Sequence, residues 1–288
     1  MKISRFCWLL LMLVPSVAFA TGQASHVIYI DGQKWMLLGC PLAELDSAHS
    51  ARFYSHLPED RSWSTANWEG YLSYWSVEDD YLVLDSVVYE MSDKNTKQSW
   101  QKVLSQAAMQ EALADYCRNG KVVATWVSHM LRAAQGKLIY YEHDAWERYH
   151  ETEQHLEVKE GRIVGRKFHH NRVVVDGFDI TQGQIEQWDE FQKGFAIILH
   201  RHHELDTVDK VYYTLRDCTI DSLGNLTVGE VKVWGKGTQA IADVLVEEFR
   251  QYLVGKRPWK VYFINGEYFT PLKHGWNMPI SLKKRNNF

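Results

Sequence analysis

The chain has 288 residues, 45% of them hydrophobic, and a formal net charge of −4 from 32 Lys and Arg against 36 Asp and Glu. That length suits two domains and a sizeable core, and a mildly acidic balance without a basic cluster argues against nucleic acid as a partner. Twelve Trp and only six Pro make the sequence rich in rigid aromatic surface and too poor in proline for a long Pro-rich spacer.

Met1 to Ala20 reads as a secretory signal, residues 1–20. Lys2 and Arg5 precede an apolar run from Phe6 to Val14, and Ala18-Phe19-Ala20 has the small-x-small pattern of a site cleaved after Ala20. The run is too short for a membrane span, Pro15 interrupts its end, and no later stretch is long and apolar enough to cross. The expectation is an exported protein of a Gram-negative envelope, periplasmic or secreted, with no integral span after cleavage. Loss of Lys2 and Arg5 takes the formal charge from −4 to −6, and loss of Cys7 leaves Cys40, Cys117 and Cys218. That odd count permits one disulfide at most and leaves the pairing of Cys40 with Cys117 open. Leu37-Leu38-Gly39-Cys40 resembles a lipoprotein box, but polar Asp31 to Lys34 separates it from the signal core, which counts against acylation.

From residue 21 to about 175 the pattern is β-rich. His26 to Ile30, Asp31-Gly32 and Lys34 to Leu38 predict a hairpin with a favoured Asp-Gly turn. Tyr71 to Val77 alternates, acidic Glu78-Asp79-Asp80 follows, and Tyr81 to Tyr89 is a second strand. A long helix is expected from Asn95 to Cys117, stopped by Asn119-Gly120. Lys121 to Trp126, Leu138 to Tyr141, Thr152 to Lys159 and Arg162 to His169 continue the strands, the last two joined by Glu160-Gly161. The N-terminal domain is thus expected to be a mostly antiparallel sheet carrying one long helix.

Residues 176–209 read as a partly helical connection, with Phe178, Ile180, Ile185, Trp188, Phe191 and Phe195 on one face and Gly177, Gly183 and Gly194 weakening it. In residues 210–288, Val211 to Asp221 and Leu226 to Trp234 are β-rich runs joined by Ser222-Leu223-Gly224-Asn225. A helix follows from Thr238, its candidate N-cap, to Leu253, with Gly255 as its stop. Trp259 to Ile264 alternates into Asn265-Gly266, a type I′ turn signal, and a last strand lies around Met278 to Leu282. The predicted class is α+β, with a small β-β-α-β unit at the C-terminus.

These C-terminal residues resemble a known family. Ile220-Asp221 with Gly224 and Leu226, the helix, Trp259-Lys260, Asn265-Gly266 and Pro279-Ile280-Ser281-Leu282 are similar to the TonB C-terminal domain, over roughly the last quarter of the chain. The resemblance implies a protein–protein module that pairs an edge strand with an extended peptide of an envelope partner. It places that edge at Trp276, Asn277, Met278, Ile280 and Leu282, with Pro279 removing one donor. The Pro that commonly follows the family's Trp is absent here. In the N-terminal part, Ser64-Thr65-Ala66-Asn67-Trp68-x-Gly70-Tyr71 with Trp75, Leu82-Val83-Leu84, Ala124-Thr125-Trp126 and Gly136-Lys137-Leu138 resemble a group of uncharacterised bacterial proteins; that resemblance implies no function.

Chemistry-bearing motifs are few. His200-Arg201-His202-His203-Glu204 places two imidazoles and a carboxylate close together, but zinc needs a further spaced ligand, so no metal is expected there or at His169-His170. Glu142-His143-Asp144 with Glu147 has the residue types for acid/base work, yet loop charges of this kind are usually solvated. The sequence shows no phosphate loop, nucleophile elbow or redox Cys pair, so neither catalytic residues nor cofactors are predicted. Trp63 and Trp68, on the loop before an alternating strand, form a candidate ligand platform, whereas Tyr71 and Trp75 fit a core-facing alternation. The expected function is a non-enzymatic envelope binding protein acting by protein–protein contact. The alternatives are a glycan-binding protein or hydrolase using Trp63 and Trp68, and a structural protein reusing the TonB-like fold.

Overall fold

The computed structural model describes residues 22–93, 95–142, 144–179, 185–269 and 276–282. The expected signal segment, Cys7, His143, Ile180 and Gly183 lie outside them.

The first part runs β1 (His26–Ile30), β2 (Gln33–Leu37), α1 (Ser47–Ser55), β3 (Tyr71–Glu78), β4 (Tyr81–Ser92), β5 (Ser99–Val103), α2 (Gln106–Ala112), β6 (Cys117–Arg118), β7 (Lys121–Val123), β8 (Met130–Tyr141), β9 (Arg148–Lys159), β10 (Arg162–His170) and β11 (Arg172–Val175). The second runs α3 (Ile185–Leu199), β12 (Lys210–Arg216), β13 (Thr219–Ile220), β14 (Leu226–Thr227), β15 (Glu230–Trp234), α4 (Ala242–Val254), β16 (Val261–Ile264), β17 (Glu267–Phe269) and β18 (Trp276–Ser281). The class is α+β. No helix among the described residues is long and apolar enough to cross a membrane.

Ten strands form one sheet in the order β10-β9-β8-β2-β1-β3-β4-β7-β6, with β5 added to β4. A further pairing of Arg162 on β10 with Tyr81 on β4 closes the sheet on itself. All pairs are antiparallel except β1 with β3. Closure follows from alternation: Ile28, Trp35, Leu37, Trp75, Leu156 and Val158 all turn to the same enclosed side, where they are buried in one core. Ser73 shares that side and is satisfied there. His26 Nδ1 accepts the Ser73 N–H at 2.9 Å, and Trp75 Nε1 donates to Ser73 Oγ at 2.7 Å. Burial pushes the His26 imidazole down to about 4, so this Ser/His pair is a buried, neutral core network.

Three sequence expectations are corrected here. The helix expected over Asn95 to Cys117 is a strand and a short helix, because Ser99–Val103 extends the ladder of β4 and Ser105 starts α2 by accepting the Ala108 N–H. The strand expected to reach Trp126 ends at Val123, and Trp126 turns to donate its Nε1–H to Pro41 O. Thr238 does not cap α4; its hydroxyl donates to Gly235 O, and a 3-10 turn over Gln239–Ile241 precedes the helix. The sequence reading also passed over α1, whose start is set by Asp46 accepting the N–H groups of Ala48 and His49.

In the second part β15, β12 and β18 form a three-stranded sheet in that order. Phe191, Phe195 and Leu199 of α3 share a core with Tyr213, Phe249, Leu253, Met278 and Ile280, so the apolar face of α3 packs into this unit. Arg172–Val175 leaves the barrel directly after β10 and pairs with β16. Asn171 pins the junction. Buried, it donates from its backbone to Glu151 O and from Nδ2 to His150 O, and its Oδ1 accepts the Asn265 N–H at 2.9 Å. Beside it Tyr140 meets Tyr262 edge-on at 5.1 Å, with Phe269 and Tyr149 packed around them.

Candidate functional site

Beyond Tyr89, β4 outruns its pairing with β3 and continues as an arm whose other strand is β5. The Leu104 N–H donates to Val87 O at 2.9 Å, so in this antiparallel register Lys102 and Trp100 also turn their backbone groups toward β4. The N–H and C=O groups of Ser99, Gln101 and Val103 therefore face outward, and among the described residues nothing pairs with them. All five β5 side chains are exposed, Trp100 to 44% and Val103 to 62%. This strand contributes nothing to either core.

On the opposite side of β4 runs the loop that carries the predicted platform. The Ser62 N–H donates to Glu90 O at 2.7 Å, continuing the ladder where β3 has ended. Arg61 fastens the loop: its guanidinium donates to Glu69 O and Pro58 O and lies over the Tyr54 ring, whose hydroxyl in turn donates to Glu69. Gly70, at φ +70°, passes so close that a Cβ would sit 2.8 Å from Arg61 Nε. Ser64 and Asn67 bond each other's backbone, and Gln23 donates to Thr65 O while accepting the Trp68 N–H. On this fastened loop Trp63 is 73% and Trp68 56% exposed, whereas Tyr71 and Trp75 are fully buried. Two large indoles held in water by a rigid loop have no packing explanation.

The other predicted surface, β18, is an edge strand of its sheet, but the centre of its free side is blocked. Leu282 donates to Asp209 O, which sets Ile280, Met278 and Trp276 to bond inward to β12 and leaves Asn277, Pro279 and Ser281 facing out. Pro279 has no N–H, and its carbonyl accepts from Gln192 Nε2 of α3 at 2.8 Å. Met278, Ile280 and Leu282 point their side chains into the core, and exposed Asn277 accepts the Thr214 hydroxyl. Of Trp276 the described feature is its pairing with Leu215.

The titratable motifs are dispersed by the fold. His202 is bonded to Glu248 at 2.8 Å and His203 lies near Glu204 at 3.4 Å, so the histidine run splits between two acidic partners. Among the described residues no three His, Cys, Asp or Glu side chains are placed to hold a metal ion. Cys40, Cys117 and Cys218 are free thiols; Cys40 touches the Tyr71 hydroxyl at 3.5 Å, and burial pushes its thiol up to about 11. Glu147 and His169, noticed in separate motifs, both reach a cluster whose centre sequence reasoning missed. Glu153, completely buried on the outer side of β9, accepts from Arg132 and faces His155, with Glu147 3.5 Å from Arg132 and the His169 ring beside that of His155. Burial alone would raise the Glu153 carboxyl, but the His155 contact and the Arg132 charge outweigh it and hold the group below its ordinary value. A carboxylate locked in this way is a structural ion pair rather than a poised acid or base. The signal in the sequence was the alternation of Glu153, His155 and Arg132 at positions that pair across two strands, readable only once the register is known.

No family model, curated protein or solved structure matches this chain. The recognition surfaces therefore carry the functional argument alone.

Proposed function

We propose that this is an exported binding protein of the cell envelope that takes an extended segment of a partner polypeptide by strand addition, and that the receiving edge is β5. The observation that carries this reading is the outward row of unpaired backbone groups at Ser99, Gln101 and Val103 on a strand with no buried side chain. Unpaired edge groups are a template for another chain, and proteins ordinarily blunt them with proline, charge or cover. On β5 only Lys102 does so, and its backbone is turned to β4. Trp100 on this strand, with Trp63 and Trp68 across the arm, supplies the large, stiff side chains that anchor interfaces. The TonB-like resemblance suggests the mode of binding; the Pro279 block at the centre of β18 favours β5 as the strand that receives the partner.

Gln101→Pro tests the edge directly. Residue 101 bonds outward, so the substitution removes one free donor and leaves the β4 ladder intact. Full-length protein and this variant are used to capture partners from envelope extract, with circular dichroism confirming equal folding. A partner held by the first and lost by the second supports strand addition at β5, and equal capture by both overturns it. A second reading, glycan recognition, is favoured by the 73% exposure of Trp63. It predicts a sugar ligand lost with Trp63→Ala and Trp68→Ala but unaffected by Gln101→Pro.

A further inference from the structure

At the seam where β10 meets β4, a groove of about 490 Å³ is lined by Arg118, Lys159 and Arg162, with Tyr81, Thr125, Val164 and Glu160 completing its wall. Three features set it apart from an ordinary basic surface. Lys159 and Arg162 are directly paired across the β9–β10 turn, an arrangement in which like charges repel, and neither forms an ion pair with any described residue. Arg118 arrives from the β6–β7 hairpin and is equally without an acidic partner there, although the neighbouring Lys121 is matched to Glu78. The backbone beneath them is held hard: Gly161 donates to Val127 O and accepts from Leu82, Glu160 donates from its N–H to Ser128 Oγ, and Ile163 donates to Asp80 O. A Cβ on Gly161, at φ +75°, would sit 2.7 Å from Ala124 O, so the backbone of the turn is seated against β7's extension, with the exposed Lys159 and Arg162 side chains carried on it.

The chain is net negative, yet it gathers three uncompensated cations on a rigid seam where Glu160 is the one lining residue of opposite sign. Like charges brought opposite each other on neighbouring strands are relieved by an anion that accepts charge-assisted hydrogen bonds from both. Two arginines, a lysine and two hydroxyl-bearing residues in one lining are the donor types that a tetrahedral oxyanion with several acceptor oxygens uses. We propose that this groove binds a phosphate group, carried either by a soluble phosphate ester or by a phospholipid headgroup.

The test uses the full chain and the variants Arg162→Gln and Lys159→Gln. Inorganic phosphate and glycerol 3-phosphate are titrated calorimetrically, and co-sedimentation is measured with vesicles of phosphatidylglycerol against vesicles of phosphatidylcholine. The expected result is saturable phosphate binding weakened about tenfold or more in each variant, the scale of one charge-assisted hydrogen bond. A phosphate-dependent rise in melting temperature should be present in the native protein and absent from Lys159→Gln. In phosphate-free buffer Lys159→Gln should melt no lower than the native protein, because it removes a repulsion; this separates loss of the site from loss of the fold. Variant-sensitive binding of glycerol 3-phosphate without vesicle preference assigns a soluble ester; variant-sensitive preference for phosphatidylglycerol assigns a headgroup. Non-saturable binding, or equal binding by the native protein and both variants, overturns the proposal.

Discussion

Among the described residues β5 and β18 are both paired on one side only, and they leave that condition in different states. β18 sends Met278 and Ile280 into the C-terminal core while the central one of its three outward positions is blocked by Pro279, which lacks an N–H, and by the Gln192 side chain on the Pro279 carbonyl. β5 sends nothing into a core, and its outward positions carry their full set of donors and acceptors. A strand needed for packing must be kept from strangers; a strand with no packing duty has only its edge and its exposed indole to offer. The pairing of duty with protection is what favours β5 over β18 in the proposed function, although the sequence resemblance points to β18.

The largest effect should come from placing proline in each strand. Ile280 bonds inward and is fully buried, so Ile280→Pro breaks the β12 ladder and empties core volume, costing about 3 kcal/mol or more. Gln101→Pro, exposed and outward-bonding, should change stability by less than about 1 kcal/mol. Urea unfolding of the two variants decides the matter. Similar losses would mean that the backbone of residue 101 is needed in the fold and is not free for a partner.

The next effect distinguishes the two cores by acid. The folded His26 pKa is about 4 against an ordinary 6.5. The unfolded chain therefore binds a proton that the folded barrel refuses, and stability is unaffected above pH 6.5 and falls as pH drops from there toward 4. The loss reaches about 3 kcal/mol at most, one pKa unit corresponding to about 1.4 kcal/mol. Hydrogen exchange at pH 7 and pH 4.5 should show β1 and β3 loosening before β12 and β18. His26→Gln, which retains an acceptor for Ser73, should reduce the pH dependence of β1 and β3, leaving the share that comes from His150 and His169, which burial also holds below their ordinary values in β9 and β10. Simultaneous loosening of both units would tie the acid response to the Asn171 junction instead.

The elements with strong local signals were legible without coordinates. The turns at Asp31-Gly32, Glu160-Gly161 and Asn265-Gly266 all take positive φ at both residues, and the alternation that put Tyr71 and Trp75 in a core is seen in their burial. What misled the reading of Asn95 to Cys117 was composition: Trp100, Val103, Leu104 and Ala107 fit a helix, and only the presence of β4's overrun alongside decides for a strand. Register was the wider blind spot. Closure of the barrel, the meeting of Glu153 with Arg132 and His155, and the direction of every edge N–H depend on which residue lies opposite which, a long-range fact that one chain's periodicity does not contain. Trp63 and Trp68 could be singled out because an indole in a loop is costly to leave wet whatever the register.

The smallest change in stability should give the sharpest test of edge protection. Pro279→Val restores an outward N–H at the centre of β18, and Gln192→Ala frees the carbonyl beside it. Losing proline's restriction of the unfolded chain costs some tenths to about 1 kcal/mol, partly offset by valine's preference for strand geometry, and neither residue is deep in the core. The doubly substituted chain should therefore fold with nearly native stability while presenting Asn277, Val at 279 and Ser281 as an uninterrupted row. An uninterrupted outward row is a template for a second copy, so sedimentation velocity should show concentration-dependent association beyond that of the native chain. If association does not increase, proline and Gln192 are not what seals β18, and the contrast with β5 rests on side-chain burial alone. If it increases and Gln101→Pro leaves it unchanged, the new contact belongs to β18 and the two edges act independently.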